Sequence, residues 1–364
     1  MMKSHLKELR EFLKGTFKEL NVVTMPDFFL DRLVSLNCDV KSFSTAVNDV
    51  AQRKGGSIDG LPQTDLNGGN AVNTAIALAA LSAKVTLIVS TNKLGLHLLK
   101  FYLEPYKVDL SHVKIFEKPS ITTALEFETK NGKSNVMLRD VGSLANFKPS
   151  HLNEKDFEAV ENADYVCLFN WAGTRRTGTK FAETIFRHVK TKGKGKTYYD
   201  TADPMPNKEK IPELVKDVLQ QKTIDILSVN ENEAICFASQ LSQNVEKLGK
   251  KLPFEELAKE SARILAKHLT ARVDLHTTGF SATFTTKGET VVPVFKVPVL
   301  RATGAGDAWD AGNILGDAHG LSDECRLTLA NAVASYYISN VSGTPPTRKQ
   351  LLEFCEKLER KAAH

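Results

Sequence analysis

Short apolar runs alternate along the chain with stretches in which apolar residues recur every three or four positions. Residues 4 to 20 set Leu6, Leu9, Leu13, Phe17 and Leu20 at helical spacing among Lys and Glu, which predicts an amphipathic surface helix used for packing or a subunit contact. From Asn21 onward, Val22 to Met25 reads as a buried strand, Ala71 to Ser82 as a helix and Lys84 to Ser90 as a second strand. Further buried strands are expected at Ala163 to Phe169, Thr197 to Asp200, Ile224 to Val229 and Val273 to Thr277, with helical stretches between them. Such alternation implies a mostly parallel sheet flanked by helices.

Two segments interrupt the rhythm. Ser35 to Asn67 shows no clear helix, and Ser120 to Arg139 alternates like a hairpin around Asn131-Gly132, a dipeptide that favours tight turns. Together they predict a small β lid. No fixed-period repeat is visible, and the one linker-like stretch is the polar run before Gly68.

Composition and charge change this picture little. With 364 residues, 42% hydrophobic and 25% charged, the chain can bury a full core as one large domain with an appendage. The net charge of +5 is dispersed, and its densest basic stretch, Lys190 to Lys196, lacks the interleaved aromatics that stack on bases, so a nucleic-acid partner is not expected. Five widely separated cysteines, Cys38, Cys167, Cys236, Cys325 and Cys355, show no metal-ligand spacing or paired framework and read as free thiols of a reducing cytoplasm. The longest apolar stretch, Ala75 to Val89, is interrupted by Lys84 and is too short to span a bilayer, and the charged N-terminus lacks an apolar signal segment. A cytoplasmic protein with no membrane partner is therefore expected.

The strongest chemical signal is Thr303-Gly304-Ala305-Gly306-Asp307, between a strand-like Val294 to Leu300 and the apolar stretch Ala308 to Leu315. Glycines let backbone N–H groups approach an anion, and a helix N-terminus adds its positive dipole end. Asp307 would sit beside that anion, where the evident use of a carboxylate is to accept the proton of an attacking hydroxyl. The alternative is a Gly-rich turn with Asp307 as a helix cap. A dinucleotide fingerprint fails, because its third small position holds Trp309, and Gly195-Lys196-Thr197 precedes a strand where a Walker loop would follow one.

Weaker signals surround this one. Gly68 and Gly69 end the irregular stretch before a helix in which Asn73 lies one turn along, placing backbone and amide groups where they could bind hydroxyls. Asn230 to Glu233 follow a strand at the edge where open α/β sheets bind ligands, and their oxygens suit Mg²⁺ through water; an acidic first turn of a helix is the alternative. Asp200, with Asp203-Pro204, also follows a strand. Asp31, after the first strand, could pair with ligand hydroxyls.

In this order the segments resemble the ribokinase, or PfkB, carbohydrate kinase family from Val22 to about Phe354: "TGAGDAWDAG" at Thr303 to Gly312 is similar to its C-terminal signature and "GGNAVNTA" at Gly68 to Ala75 to its N-terminal one. The resemblance implies a ribokinase-like three-layer α/β/α fold with a mostly parallel central sheet and a small β lid. The kinase domain is expected over residues 21–360, with a helical extension at 1–20 and lid segments at about 35–67 and 112–145. It also implies transfer of the γ-phosphate of ATP to a hydroxyl of a small sugar-like acceptor. A nucleoside kinase of the same fold and a non-catalytic nucleotide- or sugar-binding regulator are the alternatives.

By the same resemblance Asp307 is the base and the amides of Gly304, Ala305 and Gly306 form the anion hole. Asp31, Gly68, Gly69, Asn73 and Arg139 fall on the acceptor side. Asp200, Thr278, Gly279, Thr303 and Asn331 fall on the nucleotide side, and Asn230 and Glu233 place Mg²⁺ through water. Pro26, Phe29 and Asn70 depart from common members, so ribose is not implied; Phe28 and Phe29 suggest an aromatic wall, as for a base. Arg301 stands where relatives hold a monovalent cation with an aspartate, which argues against such a cation here. The lid and the N-terminal helix each offer a homodimer interface.

Overall fold

In the computed structural model, which describes residues 2–361 apart from 131, 302 and 341, the buried apolar runs become strands of one sheet. These are β1 (Asn21–Met25), β4 (Lys84–Leu87), β9 (Tyr165–Phe169), β10 (Lys196–Asp200), β11 (Ile226–Val229), β12 (Arg272–His276), β13 (Phe280–Thr285) and β14 (Gly288–Pro293). They lie in the order β14-β13-β12-β11-β10-β9-β1-β4. All pairs from β4 to β12 are parallel, and β13 and β14 add an antiparallel edge.

Both faces of the sheet are covered, as its unbroken apolar strands require. The alternation within β9 shows it: Val166 and Leu168 join one core, while Tyr165, Cys167 and Phe169 join the other. The first core is closed by α5 (Glu154–Asn162), α6 (Gly178–Lys192), α7 (Ile211–Leu214), α8 (Glu231–Leu241), α9 (Asn244–Gly249) and α10 (Phe254–His268). The second is closed by α1 (Met2–Lys14), α3 (Asn70–Ala80), α4 (Lys93–Leu103), α11 (Ala305–Ala318), α12 (Asp323–Ile338) and α13 (Arg348–Lys361). The expected three-layer α/β/α architecture is thus present.

The N-terminal helix is part of this body. Leu6, Leu9 and Leu13 are buried in the same core as Leu351 and Cys355 of α13, and Arg10 pairs with Glu356 and Glu359. Its apolar stripe is used within the chain and is not left free for a second subunit.

A smaller sheet stands apart from the main one. It is built from β2 (Phe29–Ser35), β3 (Gln63–Gly68), β7 (Ser120–Thr129) and β8 (Gly132–Asp140), in the order β3-β2-β7-β8. β7 and β8 pair antiparallel as the hairpin pattern predicts; Asn131 of its turn lies outside the described residues. Short β5 (Ser90–Thr91) and β6 (Lys114–Ile115) pair with each other.

Two expectations need correction. Ser35 to Asn67 does contain a helix, α2 (Val40–Gln52), capped by Asp39, whose Oδ1 accepts from the Ser42 amide at 2.8 Å. Its apolar residues Val40, Phe43, Val47 and Val50 follow the helical period, but none is fully buried, so the stripe is a weak one. Val294 to Leu300 is not a strand: β14 ends at Pro293, and the chain then runs irregularly toward α11.

Beneath α11 and α12 lies a buried polar cluster. Asp274 on β12 accepts from Arg272 Nη2 at 2.9 Å, Arg326 Nη1 at 3.0 Å, Asn313 Nδ2 at 2.9 Å and Thr283 Oγ1 at 2.5 Å. Burial would raise its pKa, but the two guanidiniums prevail and hold the carboxyl well below the usual carboxylate range. A group depressed in this way stabilises the fold above its unfolded pKa and loses that contribution as pH falls below it. Arg326→Leu leaves this buried charge short of a partner. The expected cost is about 3–5 kcal/mol in denaturant unfolding, with acid unfolding moved to higher pH.

Candidate active site

The carboxyl ends of the parallel strands point toward the N-terminus of α11, and the site is assembled there. Gly304, which precedes the helix, has φ of 89°, in the left-handed region. A Cβ on it would stand 2.5 Å from the Tyr337 hydroxyl oxygen, so both conformation and space demand glycine. The leading amides of α11, including Ala305 and Gly306, have no carbonyl one turn back to bond, and the helix dipole makes this end positive.

Asp307 follows in the first turn and is buried. Two amides from α3 hold it: Asn70 Nδ2 donates to Oδ1 and Asn73 Nδ2 to Oδ2, each at 2.8 Å. Burial pushes the carboxyl up to about 7. The Asn73 and Asn70 amides pull against this, and the charges of Asp200 and Asp27 add to it. The result is a carboxylate poised to exchange its proton near neutrality, beside the leading amides of α11.

The position of α3 depends on Asp27, just past β1. Its carboxylate accepts from the Asn70 amide (2.9 Å), the Ala71 amide (2.9 Å) and Asn170 Nδ2 (2.8 Å), so it caps α3 from outside the helix. Gly69, at φ 96°, brings its Cα so close to Asp27 that a Cβ would lie 2.9 Å from that residue's carbonyl oxygen.

On the smaller sheet, Asp31 lies against Gly68, where an added Cβ would meet Asp31 Oδ2 at 2.1 Å. Its Oδ1 is enclosed and has no hydrogen-bond partner. Burial raises the carboxyl to about 6, with Thr122, Arg139 and Arg301 opposing the shift. Asn67 Nδ2 donates to Asn73 Oδ1 at 2.9 Å, tying this sheet to α3. A cavity of about 210 Å³ opens beside Asn67 and Asn73, with Arg301, Gly304, Ala308 and Tyr337 in its lining; Asp31 and Asp307 are not among its lining residues. Phe28 and Phe29 do not form a free aromatic wall: both are buried, and the Arg139 guanidinium covers the Phe29 ring at 4.8 Å.

The residues expected on the nucleotide side are more scattered. Asp200 ends β10 and accepts from the Ala202 amide at 2.8 Å. Asn230 and Glu233 form a reciprocal cap on α8: each accepts from the other's backbone amide at 3.0 Å, and Asn230 Nδ2 donates to Glu233 Oε1 at 2.7 Å. Glu233 is buried, which, with Asp200 and Asp203 nearby, raises its pKa well above normal. Thr278 and Gly279 are exposed between β12 and β13, with Thr278 bonded to Glu231 and Glu255. The Thr303 carbonyl accepts from Tyr337 Oη at 3.2 Å and Arg301 Nε at 3.3 Å. Asn331 does not face a ligand surface. It is buried on α12, where its Oδ1 accepts from Ser281 Oγ and Trp309 Nε1 and its Nδ2 donates to the Pro293 carbonyl.

A family model described as pfkB family carbohydrate kinase matches residues 42–350. The chain belongs to the pfkB carbohydrate kinase family. A curated relative, 5-dehydro-2-deoxygluconokinase of Lacticaseibacillus casei, is 39% identical over 87 residues. That match takes in 23% of this chain and spans 27% of the relative's length. Among solved structures, ribokinase of Cryptococcus neoformans var. grubii serotype A in complex with ADP superposes with a TM-score of 0.69 at 18% identity, covering 93% of this chain and 99% of that one. Adenosine kinase of Sinorhizobium meliloti gives 0.69 at 16% identity, over 94% and 99%. At these identities the likeness shows the fold.

Within this pfkB family member, residue patterns alone missed three contributors: Asp27, Asn170, and Asn70 as a direct partner of Asp307. Asp27 could have been found, because it follows an apolar strand at the sheet's carboxyl edge just as Asp200 and Asn230 do. Asn73→Leu removes one charge-assisted hydrogen bond from Asp307. Its carboxyl is expected to titrate about one pH unit higher, read by ¹³C NMR of aspartate-labelled protein.

Proposed function

We propose that the protein transfers the γ-phosphate of ATP to a hydroxyl of a small sugar-like acceptor. The observation that carries this reading is the buried Asp307 carboxylate, fixed by Asn70 and Asn73 within one turn of the unpaired amides at the head of α11. Asp307 takes the proton of the attacking hydroxyl as the oxygen bonds to phosphorus, and the amides of Gly304, Ala305 and Gly306 receive the charge that spreads over the transferred group. Most of the rate comes from positioning and electrostatics.

On the acceptor side, the unpartnered Asp31 Oδ1 supports a hydroxyl donor from the ligand. Gly68 and Gly69 give close backbone approach, Asn73 adds an amide, and Arg139 closes the site from the smaller sheet, which acts as a lid that excludes water. The covered Phe29 ring and the match to 5-dehydro-2-deoxygluconokinase favour a sugar-type acceptor over a nucleoside.

The nucleotide lies along the strand ends between Thr303 and the Thr278-Gly279 turn, with Asp200 on its phosphate side. Mg²⁺ fits this edge: burial first, and then the charges of Asp200 and Asp203, raise Glu233, and a dication would offset the carboxylate repulsion. Asn230 and Glu233, already engaged with each other, would hold it through water, where it supplies charge neutralisation to the phosphates. Arg301, beside Gly304, carries a fixed positive charge into the place a monovalent cation would take. Ile121, Val136, Met137 and Leu138 are exposed on the smaller sheet and support pairing with a second copy through the lid. Among the described residues no helix is long and apolar enough to cross a membrane, and we assign the protein to the cytoplasm.

Purified protein given MgATP and a panel of sugars, sugar acids, polyols and nucleosides is expected to form ADP above the acceptor-free control with a sugar-type compound. ADP formation with no member of the panel would sink the reading. Asp307→Asn is expected to lower kcat about 10²- to 10⁴-fold. Because the base works deprotonated and its carboxyl sits at about 7, kcat/KM should rise with pH below that value and level off above it.

A further inference from the structure

A second cluster of polar groups lies one turn deeper than Asp307; it shares Asp200 with the phosphate side of the phosphoryl-transfer reading and adds His276 and Asp310, which that reading does not use. Asp200 ends β10 and His276 ends β12; these two strands flank β11. Asp310, on α11, sits over the edge of that middle strand, where its Oδ1 accepts from Ser228 Oγ at 2.7 Å and from the Tyr198 hydroxyl at 2.6 Å. Asp200, His276 and Asp310 each offer one ligand atom, and these atoms lie within 4.8 Å of one another.

Two atoms in this cluster are buried without any partner: Asp310 Oδ2, on a side chain that is 0% exposed, and His276 Nε2. An unsatisfied buried polar atom costs about 1–3 kcal/mol, so two of them within one three-residue cluster call for an occupant. A single proton shared by Asp200 and Asp310 would satisfy the carboxylates and leave the imidazole nitrogen unpaired. One cation satisfies all three groups together.

We propose that Asp200, His276 and Asp310 form a binding site for a divalent transition-metal ion, distinct from the Mg²⁺ that accompanies a nucleotide. Two carboxylates and one imidazole match ions such as Mn²⁺, whereas Mg²⁺ prefers an all-oxygen shell. Donors bound at about 2.1 Å lie about 3.0–3.4 Å apart at octahedral or tetrahedral angles, so a span of up to 4.8 Å closes on a metal when each side chain moves by about 1 Å. Tyr198 and Ser228 orient the Asp310 carboxylate by holding its other oxygen, and Trp309 packs on the imidazole at a ring separation of 5.0 Å. A Cβ on Gly306 would come within 3.4 Å of His276 Cε1, so the imidazole lies directly under the glycine loop. The ion therefore pins the head of α11 to the ends of β10 and β12.

The test uses the full chain, stripped with chelator and titrated with Mn²⁺ in the absence of nucleotide. Loss of the free-ion electron paramagnetic resonance signal is expected to show one ion bound per chain. Electron spin echo modulation of that bound Mn²⁺ should show coupling to an imidazole nitrogen. His276→Ala should abolish the nitrogen coupling and weaken binding at least about tenfold. Failure to bind Mn²⁺, or binding with no nitrogen coupling in the unsubstituted protein, overturns the proposal. The spectroscopic result stands on the native chain, so it decides the matter even where His276→Ala fails to fold.

Discussion

Two helix N-termini meet over the carboxyl edge of the central sheet, and what keeps them in contact is a buried carboxylate shared between them. Asp307 opens α11, yet its two oxygens are held by side chains of α3. A buried carboxylate without donors is costly, so α3 cannot move away from α11 without exposing that cost. The head of α3 is fixed in turn by Asp27, which reaches it from the end of β1 and also binds Asn170 after β9. Through these bonds the positions of two strands, two helices and the glycine loop are set together.

The same logic continues under α11. Asp310 bonds to Tyr198 and Ser228 on two strands, Asn313 reaches Asp274 on a third, and Arg326 of α12 joins them. Apolar packing alone would let a helix slide or rotate by a fraction of a turn. Directional polar contacts at residues 307, 310 and 313 fix both its rotation and its height.

Much of this was legible in the sequence where chemistry and periodicity agree. The apolar strands and the glycine loop before α11 could be read because each combines a burial pattern with a conformational requirement that few residues meet. Where a residue's role depends on which remote partner it finds, the sequence was silent. Asn331 and Glu233 carry the same polar groups whether they face a ligand or a neighbour, and only the folded chain turns Asn331 toward Ser281 and Trp309. The α2 helix is weakly signalled because its apolar stripe is narrow and broken by Ser, Thr, Asn and Asp: Phe43 packs with Val34, Leu36 and Phe127, while Val40 and Val47 stay exposed. Arg139 and Asp31 can be named as candidates from the sequence, but the burial of Phe29 beneath Arg139 cannot, since two adjacent aromatics do not announce which way they point.

The attachment of the smaller sheet separates two kinds of change. Asp31 and Arg139 stand on it, whereas Asp307, the glycine amides and the polar groups below them belong to the main body. The halves are joined where Asn67 reaches Asn73 of α3 and where Phe29 of β2 is buried in the core of the main body. The outer strands of the smaller sheet can therefore be rewritten, residue by residue, while the contacts around Asp307 stay at a constant datum. Divergence in this chain would be expected to collect on one side of that join, with the other side held still by its own interior.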